Sequence, residues 1–169
     1  MIFPKKSGVY SWYVTKQGAD LLNIDITNCK VKNSKYLIYI GLSKNLNERL
    51  NWHYNDKHSP SSIKSGFVST LRQTLSALLV GEMVTAKRVV DKFLREEMEV
   101  EYKVCSDYKE RELELIKSNS LPLNLKNNSH HPFYKTLKFA RKQSKEKSLV
   151  ILKSYEDVES QDSVRIFTG

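Results

Sequence analysis

The sequence predicts an α/β (α+β) domain in which a small, mainly antiparallel three-stranded sheet is flanked by helices. Two kinds of periodicity predict it. Apolar runs with the strand repeat fall near residues 8–14, 36–41 and 98–104, and the segments between them carry the helical repeat. The third observation is size. A chain of 169 residues is about one domain and can bury a core without metals or disulfides.

Ser7-Gly8 is a turn signal, and Val9 to Val14 is an aromatic, β-branched run that reads as the first strand. Residues 15–34 read as a polar connection with one apolar turn at Leu21 to Ile26. Lys35 to Ile40 is the clearest strand, and Gly41 ends it. Asn45 is placed to cap a helix to Tyr54, with Glu48 as its capping-box partner. Residues 55–66 read as a polar loop. A second helix is predicted over Phe67 to Val80, with Leu71, Leu75, Leu78 and Leu79 inward. A third spans Ala86 to Glu97, with Val89, Val90, Phe93 and Leu94 inward. Met98 to Val104 alternates as a half-buried strand does. Tyr108 to Ser118 is a fourth helix, Pro132 opens a basic helix from Phe133 to Lys147, and Leu149–Leu152 with Val164–Phe167 reads as a terminal hairpin. The domain division is 1–125 for a catalytic domain with inserted helices, and 126–169 for a basic helix and extension packed on it.

Charge narrows the partners. There are 28 basic and 19 acidic residues, for a net charge of +9, while residues 148–169 alone carry −2. The excess therefore sits in residues 1–147, and a polyanion is the natural ligand, nucleic acid first. A merely soluble basic protein is the alternative. Cys29 and Cys105 lie far apart with no CxxC spacing, which speaks against a disulfide scaffold or cysteine zinc site and suits a reducing, cytoplasmic compartment. No apolar run nears the roughly 20 residues of a membrane span, and the start of the chain is too short and proline-broken for a secretory signal.

Helix phase isolates three polar residues. At about 100° per residue, His53 falls inside the apolar stripe made by Leu46 and Leu50, and Arg49 falls on its edge. Such an arginine needs a ligand or a rim carboxylate. On the fourth helix Glu112 lies mid-stripe beside Ile116, while Glu110 and Glu114 point away. An inward carboxylate is expensive unless it meets a cation, a metal or several donors; the choices weighed are a hard metal such as Mg²⁺ and a buried ion pair, for which Arg49 is available. Tyr10 and Tyr39 stand on the two strands, either as core filling or as site residues.

These residues resemble a known family. Gly8-Val9-Tyr10 and Tyr39-Ile40-Gly41 are similar to the paired signature of the GIY-YIG nucleases. Arg49 follows the second tyrosine by ten residues, His53 comes one turn later, Glu112 precedes a Leu-Ile pattern, and Pro122-Leu123-Asn124 matches the closing motif. The resemblance spans Gly8 to Asn124. It departs from the family's minimal members in the longer connection between the tyrosine motifs and in Leu42, where many members carry a polar or basic residue.

The resemblance implies metal-dependent hydrolysis of a phosphodiester. Glu112 would hold one Mg²⁺, with Mn²⁺ as a substitute. Arg49 would offer its donor fork to the phosphate. Tyr10 would orient or deprotonate the water and pass a proton to His53. Tyr39 would touch phosphate or water, Lys44 would help electrostatically, and Asn124 would brace the site. Beyond the motif, Lys135, Lys138, Arg141, Lys142 and Lys145 spread over one side of the basic helix, either as a duplex-backbone contact or as a solvated face. Ser69, Thr70, Arg72, Gln73 and Thr74, with the 55–66 loop, are candidates for reading bases. The expected activity is a DNA endonuclease, restriction or defence-like. The alternatives are a structure-specific or repair-type nuclease and a binding module without catalysis. A double-strand cutter with one site per chain would dimerise or cut twice.

Overall fold

A computed structural model describes the backbone of residues 1–167 and the side chains of residues 1–165. In chain order the elements are β1 (Gly8–Val14), α1 (Lys16–Leu22), β2 (Val31–Lys32), β3 (Lys35–Ser43), α2 (Leu46–Asn55), α3 (Pro60–Ser65), α4 (Thr70–Leu79), α5 (Lys87–Glu96), β4 (Met98–Val104), α6 (Tyr108–Ser118) and α7 (Tyr134–Phe167). The sheet has the order β2-β3-β1-β4 and every pairing is antiparallel.

Alternation along β1 divides the core in two. Tyr10, Trp12 and Val14 join Leu46, Leu50, Leu71, Leu75, Phe93 and Leu94 on the face covered by α2, α4 and α5. Tyr13 instead packs with Leu37, Ile40, Ile116 and Leu121 under α6. The register places Tyr10 opposite Gly41 and Trp12 opposite Tyr39, with an irregularity after Trp12. A Cβ at Gly41 would stand 2.4 Å from the Tyr10 phenol. The glycine therefore leaves the space that this ring fills.

The structure departs from the sequence expectation in several places, and two boundaries move: β3 continues through Gly41 to Ser43 rather than ending there, and α4 begins at Thr70 rather than Phe67. The sheet has four strands: Asn33 and Ser34 both take positive φ, 49° and 60°, and form a two-residue turn that folds the short β2 onto β3. The predicted connection over 15–34 holds α1, whose inward positions include the small Gly18 and Ala19, so no large apolar stripe betrays it. The predicted 55–66 loop holds α3, capped by Ser59 with Pro60 in its first turn; both signals were present in the sequence. Val89 is 47% exposed rather than inward.

The terminal hairpin is not formed. Residues 134–167 are one helix of 34 residues. Its buried positions are Leu137, Ser144, Ser148 and Leu152, a helical stripe in which two serines hide the periodicity. Ser148 Oγ accepts from the Met83 N–H at 2.9 Å and donates to the Ser144 carbonyl at 2.6 Å, so these serines are packed as core residues.

Candidate active site

The two strands and α2 bring Tyr10 and His53 together. The Tyr10 hydroxyl lies 2.9 Å from His53 Nε2, and His53 Nδ1 lies 2.6 Å from Ser69 Oγ. Ser69 caps α4, and its own N–H donates to Asp56 Oδ2 at 2.7 Å. His53 is wholly buried, with Trp12 edge-on and Trp52 parallel to its ring. Burial first, then the Arg49 and Arg72 charges, push its pKa down to about 3. The imidazole is neutral at physiological pH and its two nitrogens bridge a phenol and a serine hydroxyl.

Tyr10 and Tyr39 are buried, their ring centroids 6.4 Å apart. Burial raises both phenols above their ordinary range, Tyr10 strongly. The Glu112 carboxylate also raises both, and the Arg49 guanidinium opposes it. Both charges therefore act at the pair of phenols. Arg49 is half-buried and its guanidinium lies over the Trp52 ring, 5.1 Å from the centroid. Glu112 is half-buried on α6, and burial raises its carboxyl against the opposing charge of Lys126. Neither the Arg49 nor the Glu112 side chain has an ion-pair or hydrogen-bond partner among the described residues. The Arg49–Glu112 ion pair that the sequence allowed is not formed.

That free carboxylate fits a magnesium-type ion. Among the described residues no group of three or more His, Cys, Asp or Glu is gathered for a metal. Magnesium is commonly held by one or two carboxylates, its other positions going to water and substrate phosphate. Glu112 alone meets that requirement.

Asn124 lies outside this cluster of charges but sets its geometry. Its side chain accepts from the Ile40 N–H at 2.9 Å and donates to the Ile40 carbonyl at 2.8 Å, clasping the residue between Tyr39 and Gly41. The Leu123 N–H adds a bond to the Ile38 carbonyl at 3.1 Å.

The basic residues divide into three groups. Lys44, Lys135, Lys138, Lys142 and Lys145 are exposed, Lys138 lying over the Tyr134 ring. Arg141 does not join them on the outer side. It is half-buried, donates to Gln73 Oε1 at 2.9 Å, and its charge lowers the Tyr39 phenol. Arg72, expected to contact nucleic acid, is fully buried. It donates to Asp91 Oδ1 at 2.6 Å, to the His53 and Tyr54 carbonyls at 3.0 and 3.3 Å, and to His58 Nε2 at 2.9 Å. Ser69 and Thr74 are buried too, so of the proposed base readers Thr70 and Gln73 stay partly exposed, together with Asn55, Lys57, Ser61 and Lys64 of the 55–66 segment. Sequence reasoning did not assign Trp52 to the site, held Gly41 only as part of the signature and Ser69 only as a base reader. The capping position of Ser69 was readable, but its bond to a histidine 16 residues earlier was not.

A guanidinium and a carboxylate without ion-pair partners, acting on two neighbouring phenols, suit an anionic ester. The sequence profile of the GIY-YIG catalytic domain matches residues 8–143. The chain belongs to that family, whose nucleases generally depend on a divalent metal. The match runs through Arg141, so it takes in the first turns of α7. No curated protein and no solved structure gives a significant match.

Proposed function

We propose that this chain is a DNA endonuclease of restriction or defence-like type that works with one Mg²⁺ held by Glu112. The observation that carries the reading is the neutral Tyr10–His53 pair beside an unpaired guanidinium and an unpaired carboxylate. In the reaction a water oxygen bonds to phosphorus and the bond to the 3′ oxygen breaks. Glu112 would hold the divalent ion, which when bound would supply Lewis-acid stabilisation of the phosphate and the leaving oxygen. Arg49 binds the phosphate and meets its developing charge.

Tyr10 is not an anionic base in the resting site, because burial holds its hydroxyl protonated. Nor does His53 accept a proton there, with its pKa near 3. The phenol oxygen therefore orients the water. A phosphate against Arg49 would offset one of the two charges that, after burial, hold His53 neutral, and Nε2 stays placed as the acceptor of the Tyr10 hydroxyl proton. Tyr39 would touch the same phosphate, and the Arg141 charge favours its ionised form.

Plasmid cleavage with Mg²⁺ against EDTA tests the reading, with Glu112→Ala and Arg49→Ala as controls. Nicking by wild type that both variants lose supports it. DNA binding without nicking under any divalent metal makes the chain a binding module instead. Duplex, single-stranded and branched substrates then separate a restriction-like enzyme from a structure-specific one.

A further inference from the structure

Phe67 is an aromatic ring that the fold pushes outward. Gly66 before it takes φ +76° and ends α3, and Val68 after it is buried against Ile63, Met83 and Leu152. The Phe67 N–H donates to the Ser62 carbonyl at 2.8 Å. Gln73 Nε2 reaches the Val68 carbonyl at 2.6 Å and the Gly66 carbonyl at 3.4 Å. The backbone is thus fixed on both sides, and the ring between is 68% exposed. Its one aromatic neighbour among the described residues is Trp52, centroid to centroid 5.1 Å with a tilt of 31°. Trp52 in turn lies parallel to the His53 ring, centroids 6.4 Å apart, and under the Arg49 guanidinium at 5.1 Å. A continuous line therefore runs from the group that would bind the scissile phosphate, across one indole, to a rigidly presented phenyl ring.

We propose that Trp52 and Phe67 form a stacking step for an unpaired nucleobase beside the scissile phosphate. The inference rests on the nuclease reading above and names the form of nucleic acid that this site prefers. One exposed ring and an indole match the face of a base. They are far smaller than the roughly 800 Å² per partner of a stable protein interface. The step joins a phosphate-binding arginine on a chain of net charge +9, so its ligand carries a phosphate. Stacking uses the π face that every base has, so it selects an unstacked base rather than a particular sequence. Trp52 also holds Arg49 by its cation–π contact, so base and phosphate would be registered by one side chain.

The test measures binding of the full chain in EDTA, so that nothing is cut. The probes are a matched duplex and the same duplex with one unpaired 2-aminopurine. Wild type is expected to bind the bulged duplex about tenfold more tightly and to quench its fluorescence by stacking. Phe67→Ala, at an exposed position that leaves the fold intact by circular dichroism, is expected to lose both effects; Phe67→Trp is expected to keep them. If Phe67→Ala retains the preference and the quenching, the inference is overturned. It is equally overturned if light scattering shows that Phe67→Ala abolishes self-association while bulge preference is unchanged. A wild type that shows the Phe67-dependent preference but never cleaves with Mg²⁺ supports the stacking step and overturns the nuclease reading alone. A wild type that binds neither probe overturns both.

Discussion

His53 titrates far below its ordinary range, and that displacement links stability to pH. In the unfolded chain an ordinary histidine takes up its proton near pH 6.5, whereas the folded site resists it until about pH 3. Between those values the unfolded state binds more protons, so stability falls as pH falls. The slope from this one residue is about 1.4 kcal/mol per pH unit below about pH 6. Urea titrations from pH 4 to 8 should show that slope in wild type, and the difference from His53→Gln should carry it. Equal pH dependence in the two proteins would mean that His53 is not buried neutral. Arg49 gives a prediction about rate instead. It has no structural ion pair, so Arg49→Lys should leave the melting temperature unchanged while lowering turnover by about 10²–10³, because lysine lacks the planar fork and the Trp52 stack. Arg49, His53 and Glu112 were legible because a polar side chain inside a helical stripe is anomalous on its own element. Arg72 was misread for the converse reason. Its partners are Asp91, 19 residues on, and carbonyls on α2, and no local pattern reports that a basic residue is buried.

Elements hold the site through contacts made by residues that do no chemistry. Gly41→Ala would drive a methyl group into the Tyr10 phenol, and Asn124→Ala would leave both backbone groups of Ile40 without their buried partners. Each should cost about 1–3 kcal/mol and move the tyrosines, so denaturant midpoints and nicking rate should fall together. An Asn124→Ala protein that melts like wild type would remove the clasp from this account. The same distinction applies to the basic residues. Arg72→Met breaks a buried ion pair and should destabilise by about 3 kcal/mol, whereas Lys142→Ala on exposed helix should stay within about 0.5 kcal/mol. Long regular elements were readable because they repeat one residue class at one period. Those that were missed lacked that contrast: α1 packs with glycine and alanine, α7 buries serines, and the Asn33-Ser34 turn lacks the glycine that usually announces it.

Across the molecule, charge and shape are separated along α7. Its early turns lie against α4 and carry the exposed lysines, while residues 153–165 are all exposed and more acidic than basic. Two kinds of contact then predict two kinds of result. Lys138 and Lys142 are exposed and would neutralise phosphates at a distance from the chemistry. Replacing both with alanine should flatten the plot of log affinity against log salt by about two, at about 0.9 per phosphate contact, and leave turnover at saturating DNA unaltered. Arg141 is one step along the same helix, yet it is held inward by Gln73 with its charge on Tyr39. Arg141→Ala should therefore lower turnover even when DNA is saturating. Fluorescence anisotropy across a salt series, run beside single-turnover cleavage, separates the two effects. If Arg141→Ala changes only the salt slope, α7 is an electrostatic rail and the site ends at α6. If it slows the chemical step, the helix that lies beyond the family's short motifs supplies part of the active site.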